Sequence, residues 1–109
     1  LLAEGDGDEK VLAGGQSLIA SLNLRLIESP NLIDINGIDD LRGICEDGDI
    51  VRVGALTRHF DLMASDIIAR HVPILAEAAP LIAHAAIRTR GTIGGSLANS
   101  DPAAELPAC

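Results

Sequence analysis

The sequence predicts an α+β domain, and three observations carry that expectation. A strand-length apolar run, Lys10-Val11-Leu12-Ala13, leads through a glycine turn into an apolar pattern with helical spacing. Two more strand-like runs, Gly43-Ile44-Cys45-Glu46 and Ile50-Val51-Arg52-Val53-Gly54, flank Asp47-Gly48, a strong hairpin signal. From Asp66 to His84 the chain is dominated by Ala, Ile and Leu, as short packed helices require.

Taken in order, Leu1-Leu2-Ala3-Glu4 reads as the tail of a helix, closed by the acidic, glycine-rich stretch Glu4 to Glu9. The strand at Lys10–Ala13 delivers the chain into Gly14-Gly15-Gln16-Ser17. From Ser17 the apolar positions Leu18, Ile19, Leu22 and Leu26 recur at helical spacing. Pro30 ends that helix, and Asn31-Leu32-Ile33-Asp34-Ile35 is the next strand, closed by the Asn36-Gly37 turn. Ile38 to Leu41 is a single helical turn before the hairpin. Thr57 is an expected N-cap for a helix over Arg58 to Ala64. Two helices follow: one ends before Pro73, and the other opens at it and runs towards Ile82. Proline is tolerated in a first helical turn, whereas Pro80 should end or kink the second helix. A subdomain boundary is expected near Ala55-Leu56-Thr57, dividing the chain into residues 1–55 and 56–109.

The densest cluster of special residues is Arg88-Thr89-Arg90-Gly91-Thr92-Ile93-Gly94-Gly95-Ser96, running on to Asp101-Pro102-Ala103-Ala104-Glu105-Leu106-Pro107. Gly94-Gly95 between Thr92 and Ser96 reads as a loop with its N–H groups turned outward, a concavity that suits anions. Asp101-Pro102 is the pair expected at a helix N-cap and first helical position, and a glycine turn before a helix can hold a phosphate. A tight turn that binds nothing is the plainer alternative for a lone Gly-Gly. Here the design occurs twice, at Gly14-Gly15 and at Gly94-Gly95, and two such loops suit a diphosphate better than a single phosphate. Neither run matches a Walker loop or G-x-G-x-x-G. Arg88 and Arg90 either add charge to a phosphate site or form surface salt bridges. Glu105 either accepts hydrogen bonds from sugar or polyol hydroxyls or faces water.

Bulk properties narrow the function further. A formal charge of −8 and a pI near 4.6 over 109 residues argue against nucleic acid, whose binding rests on Lys and Arg. Cys45 and Cys109 are far apart and have no C-x-x-C partner, so reduced thiols in a cytoplasmic setting are expected. No apolar run is long enough to span a membrane. His59 and His71 read as surface or helix-end residues, and His84 as a spacer or a pocket-lining residue. No residue pattern marks a metal site or a catalytic acid, base or nucleophile. The non-Met first residue and the apolar pattern still running at Cys109 suggest part of a longer chain.

The runs Val11-Leu12-Ala13-Gly14-Gly15-Gln16-Ser17-Leu18, Thr92-Ile93-Gly94-Gly95-Ser96 and Asp101-Pro102-Ala103-Ala104-Glu105-Leu106-Pro107 together resemble the FAD-binding subunit of molybdenum hydroxylases. That group includes the medium subunit of aerobic carbon monoxide dehydrogenase and the flavin domain of xanthine dehydrogenase. The resemblance extends over nearly the whole chain, through Leu32–Asn36, Val53–Thr57, Pro73–Ala79 and Ile87–Gly91.

The resemblance implies the two-subdomain FAD-binding fold of the vanillyl-alcohol oxidase (PCMH) type, with a first subdomain at 1–55 and a second beginning at 56. It also implies that the loop at Val11, Leu12, Ala13, Gly14, Gly15, Gln16, Ser17 and Leu18 and the loop at Thr92, Ile93, Gly94, Gly95 and Ser96 clamp the FAD pyrophosphate. Glu105 matches the family's acidic flavin contact, where relatives often have Asp, and Ile82 matches a position lining the flavin pocket. Gln16 stands near where covalent flavoproteins of the wider fold carry His, so non-covalent FAD is expected. The implied role is electron relay. A large molybdenum-pterin subunit oxidises substrate, two [2Fe-2S] clusters on a small subunit carry the electrons, and FAD passes them to NAD, oxygen or another acceptor. Both metal centres are expected only on the partner subunits. The remainder of the second subdomain and a C-terminal domain are expected after Cys109, and a short strand before Leu1, so the fragment alone is expected to be inactive. A standalone FAD-dependent oxidase or dehydrogenase of the same wider fold is the alternative.

Overall fold

The computed structural model describes residues 5, 7–28 and 31–109. The helix tail expected at Leu1–Glu4, Asp6 of the acidic loop and the break expected at Pro30 lie outside the described residues. The rest is a mixed arrangement of short helices and two separate two-stranded sheets, compatible with an α+β class.

The first unit is β1 (Lys10–Leu12), α1 (Leu18–Asn23) and β2 (Leu32–Asp34). β1 and β2 pair in parallel with Lys10 opposite Leu32, Val11 opposite Ile33 and Leu12 opposite Asp34. Parallel strands need a crossover, and α1 lies within it. α1 stops sooner than the spacing of Leu26 predicts. Arg25 takes a left-handed φ of 54°, its N–H reaches the carbonyl of Leu22, and the N–H of Leu26 reaches back to Ser21. That pair of bonds is a Schellman stop with Arg in the position glycine usually takes. Leu26 is thus off the helix and 72% exposed.

The second unit is the hairpin of β3 (Ile44–Asp47) and β4 (Ile50–Val53), after a 3-10 turn at Asp39–Leu41. Asp47 pairs with Ile50, so the two-residue turn is Gly48-Asp49, one position later than the Asp47-Gly48 signal suggests. Gly48 supplies the positive φ, 61°, that such a turn needs. Ile44, Val51 and Val53 turn towards the core while Cys45, Ile50 and Arg52 face out.

The core lies in the second half, between α2 (His59–Ala64), α3 (Asp66–His71), α4 (Pro73–Ala78), a 3-10 turn at Ala79–Leu81, α5 (Ala85–Arg88), α6 (Ile93–Asn99) and a last 3-10 turn at Leu106–Ala108. Leu62, Ile68, Ala79, Ile93 and Leu106 form its buried centre, and Leu62 and Ile68 have no exposed surface at all. Pro73 opens α4 as expected, and the helix tightens to 3-10 geometry at Ala79, beside Pro80. Arg88 has no ion-pair partner among the described residues. Its Nη1 donates to the carbonyls of Ile82 and Ala83, both at 2.8 Å, and so ties down the turn after α4.

Two expected helix starts are corrected. Arg58, not Thr57, caps α2, and the Asp61 carboxylate accepts from the Arg58 N–H at 3.3 Å. Thr57 is buried and its hydroxyl donates to the Gly43 carbonyl at 3.0 Å, joining the hairpin to the helices. No α-helix starts at Asp101-Pro102: α6, capped by Thr92, ends at Asn99, and the next helical element is the 3-10 turn at Leu106–Ala108. Asp101 closes a turn by accepting from the Ala103 N–H at 2.8 Å.

Truncating Leu62 to Ala removes a side chain from the centre of a small core. The Leu62→Ala variant should lose about 2–5 kcal/mol of stability, read as a lower urea midpoint at unchanged slope.

Candidate functional site

Three parts of the chain converge beside the parallel pair: Leu12–Gln16 at the end of β1, Asp34 and Asn36 at the end of β2, and Arg90 before α6. They line an open cleft of about 500 Å³, together with Ile19, Ala20 and Asn23 of α1. The approach of the first and third segments depends on a missing side chain. A Cβ on Gly14 would lie 2.5 Å from the carbonyl oxygen of Arg90 and 2.9 Å from the Cα of Gly91. Gly15 has φ +74° and would carry a Cβ 3.1 Å from Ile19 Cγ1, so a side chain there is strained as well.

Polar bonds hold the three segments at that distance. The Asn36 Nδ2 donates to the Ala13 carbonyl and to Asp34 Oδ1, both at 2.7 Å. Asn36 Oδ1 in turn accepts from Arg58 Nη2 at 2.8 Å, and Arg58 Nη1 donates to the Arg90 carbonyl. Arg42 Nη2 donates to the Asn36 carbonyl at 2.6 Å. Asn36 and Arg58 thus link the first glycine run to the second across the end of β2. Partial burial lowers the Arg58 pKa, with Arg42 and Arg90 adding to this and Asp61 opposing it. An arginine so placed stays charged near neutral pH.

The second glycine run is built differently from the first. Ala55–His59 runs antiparallel to 91–94: the His59 N–H donates to Gly91, the Ile93 N–H to Thr57 and the Gly94 N–H to Ala55. The Gly95 N–H donates to the Thr92 hydroxyl at 3.2 Å. The expectation that these N–H groups turn outward is therefore corrected, because intramolecular acceptors occupy them. The two glycines serve close packing instead: a Cβ on Gly94 would meet Ala55 Cβ at 2.6 Å, and one on Gly95 would meet Thr92 Oγ1 at 2.8 Å. In the first run the situation is reversed. Among the described residues, the N–H groups of Gly14, Gly15, Gln16 and Ser17 have no protein acceptor, while Gln16 Nε2 closes on the Gly14 carbonyl at 3.2 Å.

The sequence-derived residues fall into two groups. Leu12, Ala13, Gly14, Gly15 and Gln16 line the cleft, flanked by Val11, Ser17 and Leu18 in the same segment. Thr92, Ile93, Gly94, Gly95 and Ser96 form the cap and first turn of α6, adjoining the cleft through Arg90 and Gly91. Ile82 packs on the helical core and Glu105 is half-buried near His59; neither lines the cleft. His84 is exposed before α5 and does not line the cleft. Sequence reasoning missed Asn36, Arg58 and Asp34, whose partners are distant in sequence or hidden by an ordinary turn pattern.

His59 is also corrected. It opens α2, as a helix-end residue would, but it is 4% exposed rather than at the surface. Its ring fills the space a Gly91 Cβ would occupy, 2.7 Å from Cδ2, and its Nδ1 is buried with no partner among the described residues. His71 ends α3, half exposed, with Nε2 2.9 Å from Glu46 Oε1. Among the described residues, no group of three or more His, Cys, Asp or Glu could hold a metal ion, and no helix is long and apolar enough to cross a membrane. Cys45 and Cys109 are free and exposed.

The cleft can therefore take an anion. Free loop N–H groups form one wall, and three of the eight basic residues of an acidic chain, Arg42, Arg58 and Arg90, cluster around it. The missing Cβ of Gly14 brings the Arg90 backbone against the loop, so that the Arg90 side chain and the loop N–H groups border the same cleft.

Comparison with known proteins places this geometry. The family described as the FAD binding domain in molybdopterin dehydrogenase matches residues 1–109. The 6-hydroxypseudooxynicotine dehydrogenase complex subunit alpha of Paenarthrobacter nicotinovorans is 52% identical over 107 residues, covering 98% of this chain and 36% of that protein. The carbon monoxide dehydrogenase medium chain of Hydrogenophaga pseudoflava is 48% identical over 108 residues, covering 99% and 38%. A solved structure of carbon monoxide dehydrogenase from that organism superposes with a TM-score of 0.95 at 48% identity, over 98% of this chain and 37% of that one. Quinoline 2-oxidoreductase from Pseudomonas putida 86 superposes at 0.92 with 42% identity, over 97% and 37%. The chain thus spans a little over a third of the length of these relatives.

Burial pushes the His59 imidazole below its ordinary pKa; the Glu105 carboxylate opposes that shift and the Arg58 guanidinium adds to it. The unfolded chain then binds a proton that the folded chain refuses. The stability involved is fully present above about pH 6.5 and is lost as pH falls towards the lower folded value. The wild-type denaturation midpoint should fall between about pH 7.5 and pH 5.5 more steeply than that of His59→Gln; parallel pH profiles would contradict this.

Proposed function

The chain belongs to the family of FAD binding domains of molybdopterin dehydrogenases, and from that premise we propose that it is the flavin-holding part of a molybdenum hydroxylase. In this reading it binds FAD non-covalently in the two-subdomain fold of the vanillyl-alcohol oxidase type, with subdomains divided near residue 55. Electrons arrive from [2Fe-2S] clusters on a small subunit, reduced in turn by a molybdopterin large subunit, and leave to NAD, oxygen or another acceptor.

The observation that carries the reading is the contact of Gly14 with the Arg90-Gly91 backbone, which brings the first glycine run and the segment leading into the second to one cleft. The Gly14–Ser17 segment supplies neutral N–H donors to the pyrophosphate and Arg90 supplies charge. Val11, Leu12, Ala13 and Leu18 support that loop. Thr92, Ile93, Gly94, Gly95 and Ser96 set the opposite wall through their packing on Ala55–His59. Glu105 and Ile82, on the α6 and helical-core side of the chain, contact the flavin from beyond this cleft. Gln16 offers an amide, which is no nucleophile towards the flavin ring, and so supports a non-covalent cofactor. FAD, when bound, supplies the electron acceptance and release; the chain binds it, orients it and shapes its surroundings.

The test is a cofactor analysis of the whole protein, purified with the subunits that accompany it. Denaturation should release FAD, identified by chromatography, and the same sample should contain iron and molybdenum. FAD without either metal would favour a standalone flavoenzyme, and a sample with no flavin would overturn the reading.

A further inference from the structure

Anion binding leaves one ionised group in the cleft without a task. Asp34 ends β2 and is the register partner of Leu12, which ends β1. The carboxylate and the first glycine run therefore sit together at the carboxyl ends of a parallel pair whose crossover contains α1. In open α/β units, ligands bind in the crevice outside those ends, and an acidic residue about 20 positions after the glycines holds a ribose hydroxyl. Asp34 stands at about that separation from Gly15, although the glycine spacing is not that of the dinucleotide fingerprint.

The local bonds suit such a role. Asp34 Oδ1 accepts from the Asn36 N–H at 2.9 Å and from Asn36 Nδ2 at 2.7 Å. Both bonds favour the carboxylate form and lower its pKa, so the group is an acceptor only near neutral pH. Oδ2 has no protein donor among the described residues, and Asp34 lines the cleft. A phosphate would be repelled there, whereas a vicinal diol would donate to it. The same Asn36 Nδ2 also holds the Ala13 carbonyl, so the Asp34 carboxylate, through Oδ1, lies within about two hydrogen-bond lengths of the residue that leads into the glycine loop. Arg90 and the free loop N–H groups attract anions at one part of this cleft, and Asp34 accepts hydroxyls at another. A nucleoside diphosphate carries both chemistries.

We propose that Asp34 is the ribose-binding residue of this cleft, accepting a hydrogen bond at Oδ2 from the 2′,3′-diol of the adenosine half of FAD. The assignment rests on the flavin reading above, and names which half of the cofactor this cleft holds.

The experiment uses the complete flavin subunit, stripped of cofactor and titrated with FAD, ADP and 2′,3′-dideoxy-ADP. Wild type should bind ADP more tightly than the dideoxy nucleotide by about tenfold or more, the worth of a hydrogen bond to a charged group. Asp34→Asn and Asp34→Ala should lose that discrimination and weaken FAD by a similar factor. Asp34 is exposed, so neither variant loses core packing, and Asp34→Asn keeps an oxygen for the Asn36 turn. Equal loss for ADP and the dideoxy nucleotide would show that Asp34 only holds the turn, and would overturn the proposal. So would unchanged discrimination in both variants. Wild type that binds ADP with the expected discrimination but takes up no FAD would keep Asp34 as a ribose residue and sink the flavin reading. Wild type that binds none of the three would sink both.

Discussion

Everything at the cleft depends on how closely the backbone at Gly14 can approach the backbone at Arg90 and Gly91. Those segments lie far apart in sequence and belong to different parts of the fold, one beyond β1 and the other before α6. Two polar side chains, Asn36 and Arg58, span the gap and pair three backbone or side-chain acceptors that would otherwise be left open. The absence of a Cβ on Gly14 lets the segments meet, and the hydrogen bonds keep them there. Neither device is sufficient alone, since hydrogen bonds cannot close a steric gap and a gap without them would be free to open.

The same junction explains why so acidic a chain can hold an anion. Net charge acts at long range and is screened, whereas the partly buried Arg58 and the exposed Arg90 act within a few ångströms. Packing behind the junction is equally specific. His59 occupies the volume next to Gly91, kept neutral by burial, and Ala55 occupies the volume next to Gly94. The second glycine run therefore works as a close-packed wall, while the first keeps its N–H groups for a ligand. Two stretches that look alike in sequence have opposite uses.

What was legible in the sequence follows from the range of the forces involved. β1, β2, the hairpin and the helix opening at Pro73 are fixed by local pattern and turn chemistry, and these were found to within a residue or two. The start of α6 was not, because glycine has nearly the poorest helix propensity and two of them stand in its first turn. The Thr92 cap and the bonds to Ala55 and Thr57 override that propensity, although Thr92 before the apolar Ile93 was a usable cap signal. Thr57 looked like a cap and is instead a buried link to Gly43. His59 looked exposed because nothing adjacent to it reveals the partner that buries it. The cleft was half legible: its glycines stand out, but Asn36 and Arg58 matter only through residues far along the chain. Membership of a flavin-binding family supplies what neither spacing nor composition could, a candidate for the anion.

If contact between the two glycine segments shapes the cofactor site, FAD affinity must depend on the missing Cβ at Gly14. The most direct measurement compares FAD affinity of the complete subunit carrying Gly14→Ala with the same subunit carrying Gly37→Ala. A Cβ at Gly37 meets nothing within 4 Å, whereas one at Gly14 meets the Arg90 carbonyl at 2.5 Å. FAD binding should weaken by roughly tenfold or more in Gly14→Ala, from a clash of order 1–3 kcal/mol, and stay unchanged in Gly37→Ala. Wild-type affinity in Gly14→Ala would show that the contact does not shape the site.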